Sequence, residues 1–403
     1  MTKIFFQANP VNNQSDNTEV RLKSLFSSQQ KSFKAKNVEV TPDFQRGANI
    51  KVIGVGGGGS NAVNRMVEAG LSGVEFIIAN TDAQALSHAP SQNRINLGRG
   101  ITRGLGAGSN PDVGRKAAEE SHDEIKEHLE GADMIFITCG LGGGTGTGAA
   151  PIVAEIAREL GILTVGIVTI PFSFEGKRRK EQADQGYADL KDKVDTLIAI
   201  KNDKILSIID KRTSLHDAFK CVDDILRQGI QGISSIITEH GIINVDFADV
   251  RAIMANAGTA MMGIGYGSNE TRAIDAARAA TTSPLLDVDI HGAKGLLFTI
   301  TGGNDLSMSE VEEAGRIITE ACDKDCNIIF GVITDENYVG EVKITVVATG
   351  FDDSKKAPEP VMGRMQQVGS FLPPNNTTNK IPDSFTSKDE YDIPAFMRNK
   401  INK

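Results

Sequence analysis

The sequence predicts an α/β fold: a Rossmann-like parallel sheet joined by a long central helix to a smaller α/β C-terminal unit. Three observations predict it. From Ile50 onward, apolar runs rich in Val and Ile alternate with helix-like stretches, the pattern of a parallel sheet covered on both faces. One amphipathic stretch, residues 214–240, reads as a single helix of about 27 residues and about 40 Å, enough to run between two domains. A second alternation of strand and helix signals then continues to Phe351.

Taken in order, residues 1–48 are polar, rich in Asn, Gln and Ser, and predict a disordered extension. Strands are expected at 51–55, 75–79, 133–138, 162–169 and 196–200. Asn110, Pro111 and Asp112 supply an N-cap, a proline at the first helical position and a first-turn acid for a helix over 113–130. Along the long helix Phe219, Ile225, Leu226, Ile230, Ile233, Ile236 and Ile237 form the apolar positions. The second unit offers strands at 259–266, 293–301, 327–333 and 341–349, with helices near 271–281 and 309–322. Beyond Phe351, Pro, Ser, Asn and Lys dominate, as in a flexible linker, before apolar character returns at 391–398. The expected divisions are therefore an extension over 1–48, a first domain over 49–213, the central helix and its following loop over 214–248, a C-terminal domain over 249–351, a linker over 352–390 and a terminal peptide over 391–403.

Charge and composition exclude several function classes. A formal net charge of −9 and a pI of about 5.3 disfavour a nucleic-acid partner, which needs a basic face. Cys139, Cys221, Cys322 and Cys326 are too sparse for a disulfide scaffold. The Cys322–Cys326 spacing has no second pair or nearby His to complete a zinc site, so buried free thiols in a reducing compartment are expected. No apolar run approaches the ~20 residues of a membrane span, and no secretory signal is expected. Asp16, Glu19, Glu39 and Asp43 argue against a transit peptide.

The chemistry lies in glycine-rich loops. Gly54-Val55-Gly56-Gly57-Gly58-Gly59-Ser60-Asn61 follows a predicted strand and opens a helix. Without Cβ atoms its N–H groups can point at an anion, and the helix N-terminus adds positive potential. Taken alone, Gly54, Gly56 and Gly59 also fit the dinucleotide fingerprint, with Asp82 as a ribose-binding acid, so a nicotinamide-dinucleotide oxidoreductase is an alternative. The loop Gly140-Leu141-Gly142-Gly143-Gly144-Thr145-Gly146-Thr147-Gly148 repeats the arrangement before a helix over 149–160, with threonine hydroxyls expected to donate to phosphate. A third glycine-rich segment covers 98–108. One pyrophosphate needs one cradle; several along one sheet edge suit a triphosphate. The Walker signature with its lysine is absent from the sequence.

The run GGGTGTGAAP, residues 142–151, resembles the signature of the tubulin/FtsZ superfamily in its bacterial form. The similarity extends from Ile50 to Gly350 and returns at the terminal peptide. The resemblance implies a GTPase that binds GTP or GDP with Mg²⁺, polymerises head to tail and forms the cytokinetic ring of bacterial cell division, cytoplasmic and at mid-cell. Its partners would be its own copies and, through the terminal peptide, membrane-tethering and regulatory division proteins; neither nucleic acid nor direct membrane insertion is expected. Nucleotide contacts are implied at Gly57, Gly58, Gly59, Ser60, Asn61, Ala107, Gly108, Gly144, Thr145, Gly146 and Thr169.

Phe219 and Asp223 stand one turn apart on the long helix, hence on one face. An aromatic ring can stack on a purine, and a carboxylate can accept from guanine N1–H and N2–H₂, a donor pair adenine lacks. Spacing alone equally allows a core Phe beside a solvated Asp; the resemblance selects the base-binding role and adds Asn202 as a second base contact. Glu175 and Arg179 fit a surface ion pair, whereas the resemblance puts Glu175 on the ribose and Arg179 near the sugar and phosphates. Ile170 departs from the family pattern, which has a basic residue there.

The segment Asn244-Val245-Asp246-Phe247-Ala248-Asp249 follows the long helix. Asp246 suits an N-cap with Asp249 at N3. The long helix is expected to carry these residues tens of ångströms from the glycine loops, too far to serve their own nucleotide. The resemblance makes Asn244, Asp246 and Asp249 the catalytic segment that completes the active site of the next subunit. No residue is assigned as a metal ligand.

Overall fold

The computed structural model of the chain describes residues 47–210, 212–239, 241–286 and 290–351, all within one compact unit. The expected extension (but for its last two residues), linker and terminal peptide lie outside the described residues.

Ten strands make one sheet: β1 (Ile50–Val55), β2 (Glu75–Asn80), β3 (Asn93–Asn96), β4 (Met134–Gly140), β5 (Leu163–Ile170), β6 (Thr196–Lys201), β7 (Gly258–Ser268), β8 (Gly295–Gly302), β9 (Asn327–Thr334) and β10 (Glu341–Thr349). Their order is β3-β2-β1-β4-β5-β6-β7-β10-β8-β9, parallel except where β10 runs against β7 and β8. Helices of eight residues or more are α1 (Gly56–Glu68), α2 (Pro111–Glu120), α3 (His122–Leu129), α4 (Thr145–Glu159), α5 (Lys177–Lys191), α6 (Leu215–Thr238), α7 (Phe247–Met254), α8 (Arg272–Thr281) and α9 (Met308–Glu320).

Alternation along each strand sends neighbouring side chains to opposite faces. Val52, Phe136 and Ile167 join Met66 of α1, Leu226, Ile230 and Ile233 of α6, and Met254 of α7 in one core. Ile53, Ile77 and Ile135 join Ala117 of α2, Val153 of α4 and Leu190 of α5 in the opposite one. A third core packs Ala276 and Ala280 of α8 and Ile318 of α9 on Phe298, Ile300 and Ile344.

The expected helix over 113–130 is two helices. The chain breaks at Ser121 (φ −95, ψ 17), whose hydroxyl accepts Gly98 N–H at 3.0 Å. Local propensity favours one helix; a tertiary hydrogen bond to the preceding loop at Gly98 accompanies the break. The central helix has 24 residues, starting after Ser214, whose hydroxyl caps Asp217 N–H at 3.1 Å, and ending where Glu239 turns extended. The strands of both α/β halves belong to a single sheet, joined by a ladder of three pairs, Thr196–Ile198 with Gly258–Ala260. Where that ladder stops, Ile170, Tyr187, Ile200, Met262 and Leu285, with Asp184 and Lys201, line a mixed apolar and polar cavity of about 280 Å³, distinct from the glycine loops. All four cysteines are free thiols; Cys139 and Cys322 are buried, but Cys221 and Cys326 are only half-buried, against the expectation of burial throughout. Burial pushes the Cys139 thiol up to about 12.

In the third core, Arg272 reaches Glu310 at 2.6 Å and Asp305 at 2.5 Å, and Glu310 also accepts Ser307 N–H at 2.8 Å to cap α9. The guanidinium holds the Glu310 carboxyl down at about 2. A depressed acid stabilises the fold above its unfolded pKa and loses that contribution as pH falls toward 2. Arg272→Met is expected to cost about 1–3 kcal/mol at pH 7, less than the roughly 3–5 kcal/mol of a fully buried pair because Asp305 is 42% exposed. Denaturant melts at pH 7 and pH 3 check this: the gap between wild type and variant narrows at pH 3.

Candidate functional site

The two richest glycine loops leave neighbouring strands, β1 and β4, at the same edge of the sheet. Each opens directly into a helix whose N-terminus has no side-chain cap: α1 after Val55 and α4 after Gly144. The first-turn N–H groups are donors that the helix itself cannot satisfy. The loops touch. A Cβ on Gly56 would lie 2.8 Å from Gly146 N, and one on Gly59 would lie 2.3 Å from Thr138 O, so backbone approach here requires glycine.

Gly57 faces open space in the first turn of α1, and Gly58 lines the adjacent cavity. Gly59 and Gly146 are buried where helix meets strand, and Gly144 lies against Ala107, which brings the third glycine segment to the second. Gly108 has open space around it. The side-chain hydroxyls make hydrogen bonds within and between the loops. Thr145 bonds the Thr81 hydroxyl at 2.6 Å, and Thr147 accepts Gly142 N–H at 2.9 Å. Ser60 donates to Gly56 O at 2.7 Å. These bonds tie the loops to one another, and the uncapped helix ends add backbone N–H donors beside them.

Beside the cradle lies a cavity of about 240 Å³, lined among others by Gly58, Asn61, Thr169, Glu175, Arg179, Asn202, Phe219 and Asp223. Eight residues named from the sequence thus meet in one place although they come from four elements and two turns. Gly140, Leu141, Pro171, Val222 and Leu226 also line it; they are the flanks of the same loops and the same helix face. Phe219 is 40% exposed, unusual for a Phe, and its ring meets Phe172 edge-on at 5.5 Å. Asn202 is buried and lines the cavity, and its Oδ1 has no hydrogen-bond partner among the described residues.

Asp223 has a partner that sequence spacing did not reveal: Arg65 of α1, with Nε 3.4 Å from Oδ2. Burial raises the Asp223 carboxyl to about 6, and the nearby guanidinium offsets only part of that. Glu175 and Arg179 do pair, at 3.1 Å, but across a break: Glu175 ends a 3₁₀ turn (Ser173–Glu175) and Arg179 lies in α5. Glu175 also accepts Phe172 N–H at 2.8 Å, and Asp203 accepts both the amide and the hydroxyl of Ser173, pinning the turn to the end of β6.

Asn244, Asp246 and Asp249 stand apart from this cavity. Phe219 is near the start of α6, and from there to Thr238 the helix rises about 28 Å. The three residues follow that far end and line no part of the cavity. Asp246 caps α7, accepting Asp249 N–H at 2.9 Å, and Asn244 Oδ1 accepts Gly241 N–H at 2.7 Å. Ile242 and Ile243 anchor the loop to Val332 of β9. All three residues are exposed, and no hydrogen bond or ion pair among the described residues engages the Asp249 carboxylate. Asp82, the acid on which the dinucleotide alternative depended, caps a short helix by accepting Gln84 and Ala85 N–H at 2.9 and 3.1 Å.

Comparison with known proteins agrees with this geometry. A model of the Tubulin/FtsZ family GTPase domain matches residues 49–210, and one of the FtsZ family C-terminal domain matches residues 258–352. A solved structure of FtsZ from M. jannaschii, described as an empty dimer, is 44% identical over 82% of this chain and 92% of that one, with a TM-score of 0.73. A mutant of the same protein is 43% identical over 82% and 95%, again with a TM-score of 0.73. CetZ2 of Haloferax volcanii, solved as a GTPγS-bound protofilament, is 21% identical over 76% and 94% with a TM-score of 0.65, a likeness of fold alone. With better than two-fifths identity across four-fifths of its length, the chain belongs to the tubulin/FtsZ family of GTPases.

Proposed function

We propose that the chain binds GTP in the cavity beside the glycine cradle and hydrolyses it at an active site completed by the next subunit of a head-to-tail polymer. In this reading the N–H groups of Gly57, Gly58, Gly144 and Gly146 hold the phosphates, with Gly59, Ser60, Ala107, Gly108 and Thr145 shaping the cradle. Glu175 and Arg179 face the ribose and the sugar–phosphate region, Phe219 stacks on the base, and Asp223 with Asn61 and Asn202 reads its edge. GTP fits the donor set: an uncapped pair of helix N-termini for anions, and an orphan Asn202 acceptor for a base donor. Among the described residues no group of three or more His, Cys, Asp or Glu converges, so Mg²⁺ would be carried by the phosphates and neutralise their charge.

The observation that carries the proposal is the separation of acids from cavity. The carboxylates lining the cavity, Glu175 and Asp223, are both committed to arginines, while Asp246 and Asp249 are exposed beyond the far end of α6. Head-to-tail stacking would bring those acids onto the phosphate side of a neighbour. There Asn244 and the two carboxylates would orient and polarise the attacking water, the positioning that phosphoryl transfer requires. Such an interface does not close on itself and builds filaments. The dimer of the 44%-identical relative supports the self-association in this reading. Within it, the filaments form the cytokinetic ring of bacterial cell division at mid-cell in the cytoplasm, and the terminal peptide over 391–403 docks tethering and regulatory proteins, folding as it binds. No helix among the described residues is long and apolar enough to cross a membrane.

Phosphate release measured over a dilution series, with light scattering on the same samples, tests the proposal. Turnover per chain should rise with concentration and plateau together with scattering. A rate per chain that stays flat down to the lowest concentration contradicts it.

A further inference from the structure

We infer that Arg65 is a positioning residue of the base pocket, holding the ionised carboxylate of Asp223 toward the ligand and thereby setting guanine specificity. The inference rests on the base-reading role proposed for Asp223. Arg65 and Asp223 come from different helices, α1 and α6, so their contact is a tertiary arrangement and not a by-product of helical spacing. Their side chains are 33% and 17% exposed, a half-desolvated pair at the floor of the site. Only Oδ2 of Asp223 is engaged; Oδ1 has no partner among the described residues, and the residue lines the same cavity as Phe219 and Asn61. A guanidinium beside one carboxylate oxygen favours the ionised form and draws that oxygen toward α1, leaving the other oxygen for a donor.

Arg65 also lines a second cavity of about 270 Å³ that shares Asn61, Phe219 and Asp223 with the first and adds Asn64, Glu68, His216 and Lys220. The charged and titratable groups sharing a cavity with Asp223 are therefore Arg65 and Glu68 from α1, His216 and Lys220 from α6, Glu175 from the 3₁₀ turn and Arg179 from α5, the last two paired with each other. Of these, Arg65 alone is within ion-pair distance; Lys220 pairs instead with Asp217 at 3.8 Å. Burial raises the Asp223 carboxyl, and Arg65 is the group that pulls it back. The pairing matters because a protonated acid would lose an acceptor that guanine N1–H and N2–H₂ require. A merely structural role is also available to Arg65, as the basic residue in the last turn of α1. That role would change stability without changing how affinity depends on pH.

The test is equilibrium binding of GTP and ATP from pH 5 to pH 9 for the full chain and for Arg65→Gln, Arg65→Lys and Asp223→Asn. Proton binding to Asp223 competes with guanine, so wild-type GTP affinity should fall by up to about tenfold per pH unit below about pH 6, while ATP affinity stays level. Arg65→Gln should move that midpoint up by roughly one pH unit, giving a loss of about fivefold near pH 6 that approaches tenfold at lower pH and disappears above pH 8. Arg65→Lys, which keeps the charge, should return the midpoint toward wild type. Asp223→Asn should abolish the pH dependence, which separates Asp223 from His216. An unmoved midpoint in Arg65→Gln, with affinity either intact or lost equally at every pH, overturns the inference. A wild-type preference for GTP over ATP that survives Asp223→Asn overturns the base assignment itself, a different failure with a different signature.

Discussion

Asp249→Ala is expected to lower GTP turnover by about two to four orders of magnitude while leaving GTP affinity within about twofold of wild type. The size follows from the role: a group that orients and polarises the attacking water acts only on the transition state, so turnover falls and ground-state binding does not. The variant is also structurally mild. Asp249 is exposed, and its contribution to the cap of α7 is its backbone N–H, which alanine retains. Asp246→Ala is a less clean experiment, because the cap itself is lost at a cost of about 1 kcal/mol. Phosphate release and equilibrium binding on one sample decide the matter; near wild-type turnover in Asp249→Ala removes the acid from the mechanism.

Asp223→Asn is expected to reduce the preference for GTP over ATP by about two orders of magnitude or more. A carboxylate offers acceptors only, matching two guanine donors; an asparagine amide turns one of those acceptors into a donor and leaves a buried mismatch. Phe219→Ala supplies the contrast. Stacking reads no sequence, because every base has a π-face, so GTP and ATP should weaken together. Competition binding with both nucleotides separates the two effects, and a GTP preference unchanged in Asp223→Asn contradicts the reading.

Much of this site was legible in the sequence because its anchors are local. A glycine loop between a strand and a helix has one way to place its N–H groups, and Phe219 and Asp223 share a helix face by spacing alone. The strands of both halves carry the alternating or continuous apolar runs that burial demands, so their positions were readable to within a few residues. What was not legible depended on tertiary partners. The hydroxyls of Thr145 and Thr147 turn inward to Thr81 and Gly142, a choice no local pattern encodes. The break at Ser121 accompanies a bond to Gly98, and the union of both halves into one sheet rests on three pairs between β6 and β7. Arg65 could have been suspected, since it lies one helical turn from Asn61, but its partner on α6 is visible only in three dimensions. At Asp246 two readings coexist: the side chain is the N-cap that local chemistry favours, and it remains exposed beside Asp249 at the surface.

Complementation by mixing addresses the shared active site most directly. Asp249→Ala has an intact cavity without its donated acid; a double variant, Asn202→Ala with Asp223→Ala, has the acid but a cavity that cannot hold GTP. Each alone should be inactive, and an equal mixture should recover turnover toward about a quarter of the wild-type rate, the share of random head-to-tail contacts that join a good cavity to a good acid. A mixture that stays as inactive as its parts would mean that each chain hydrolyses GTP with its own residues.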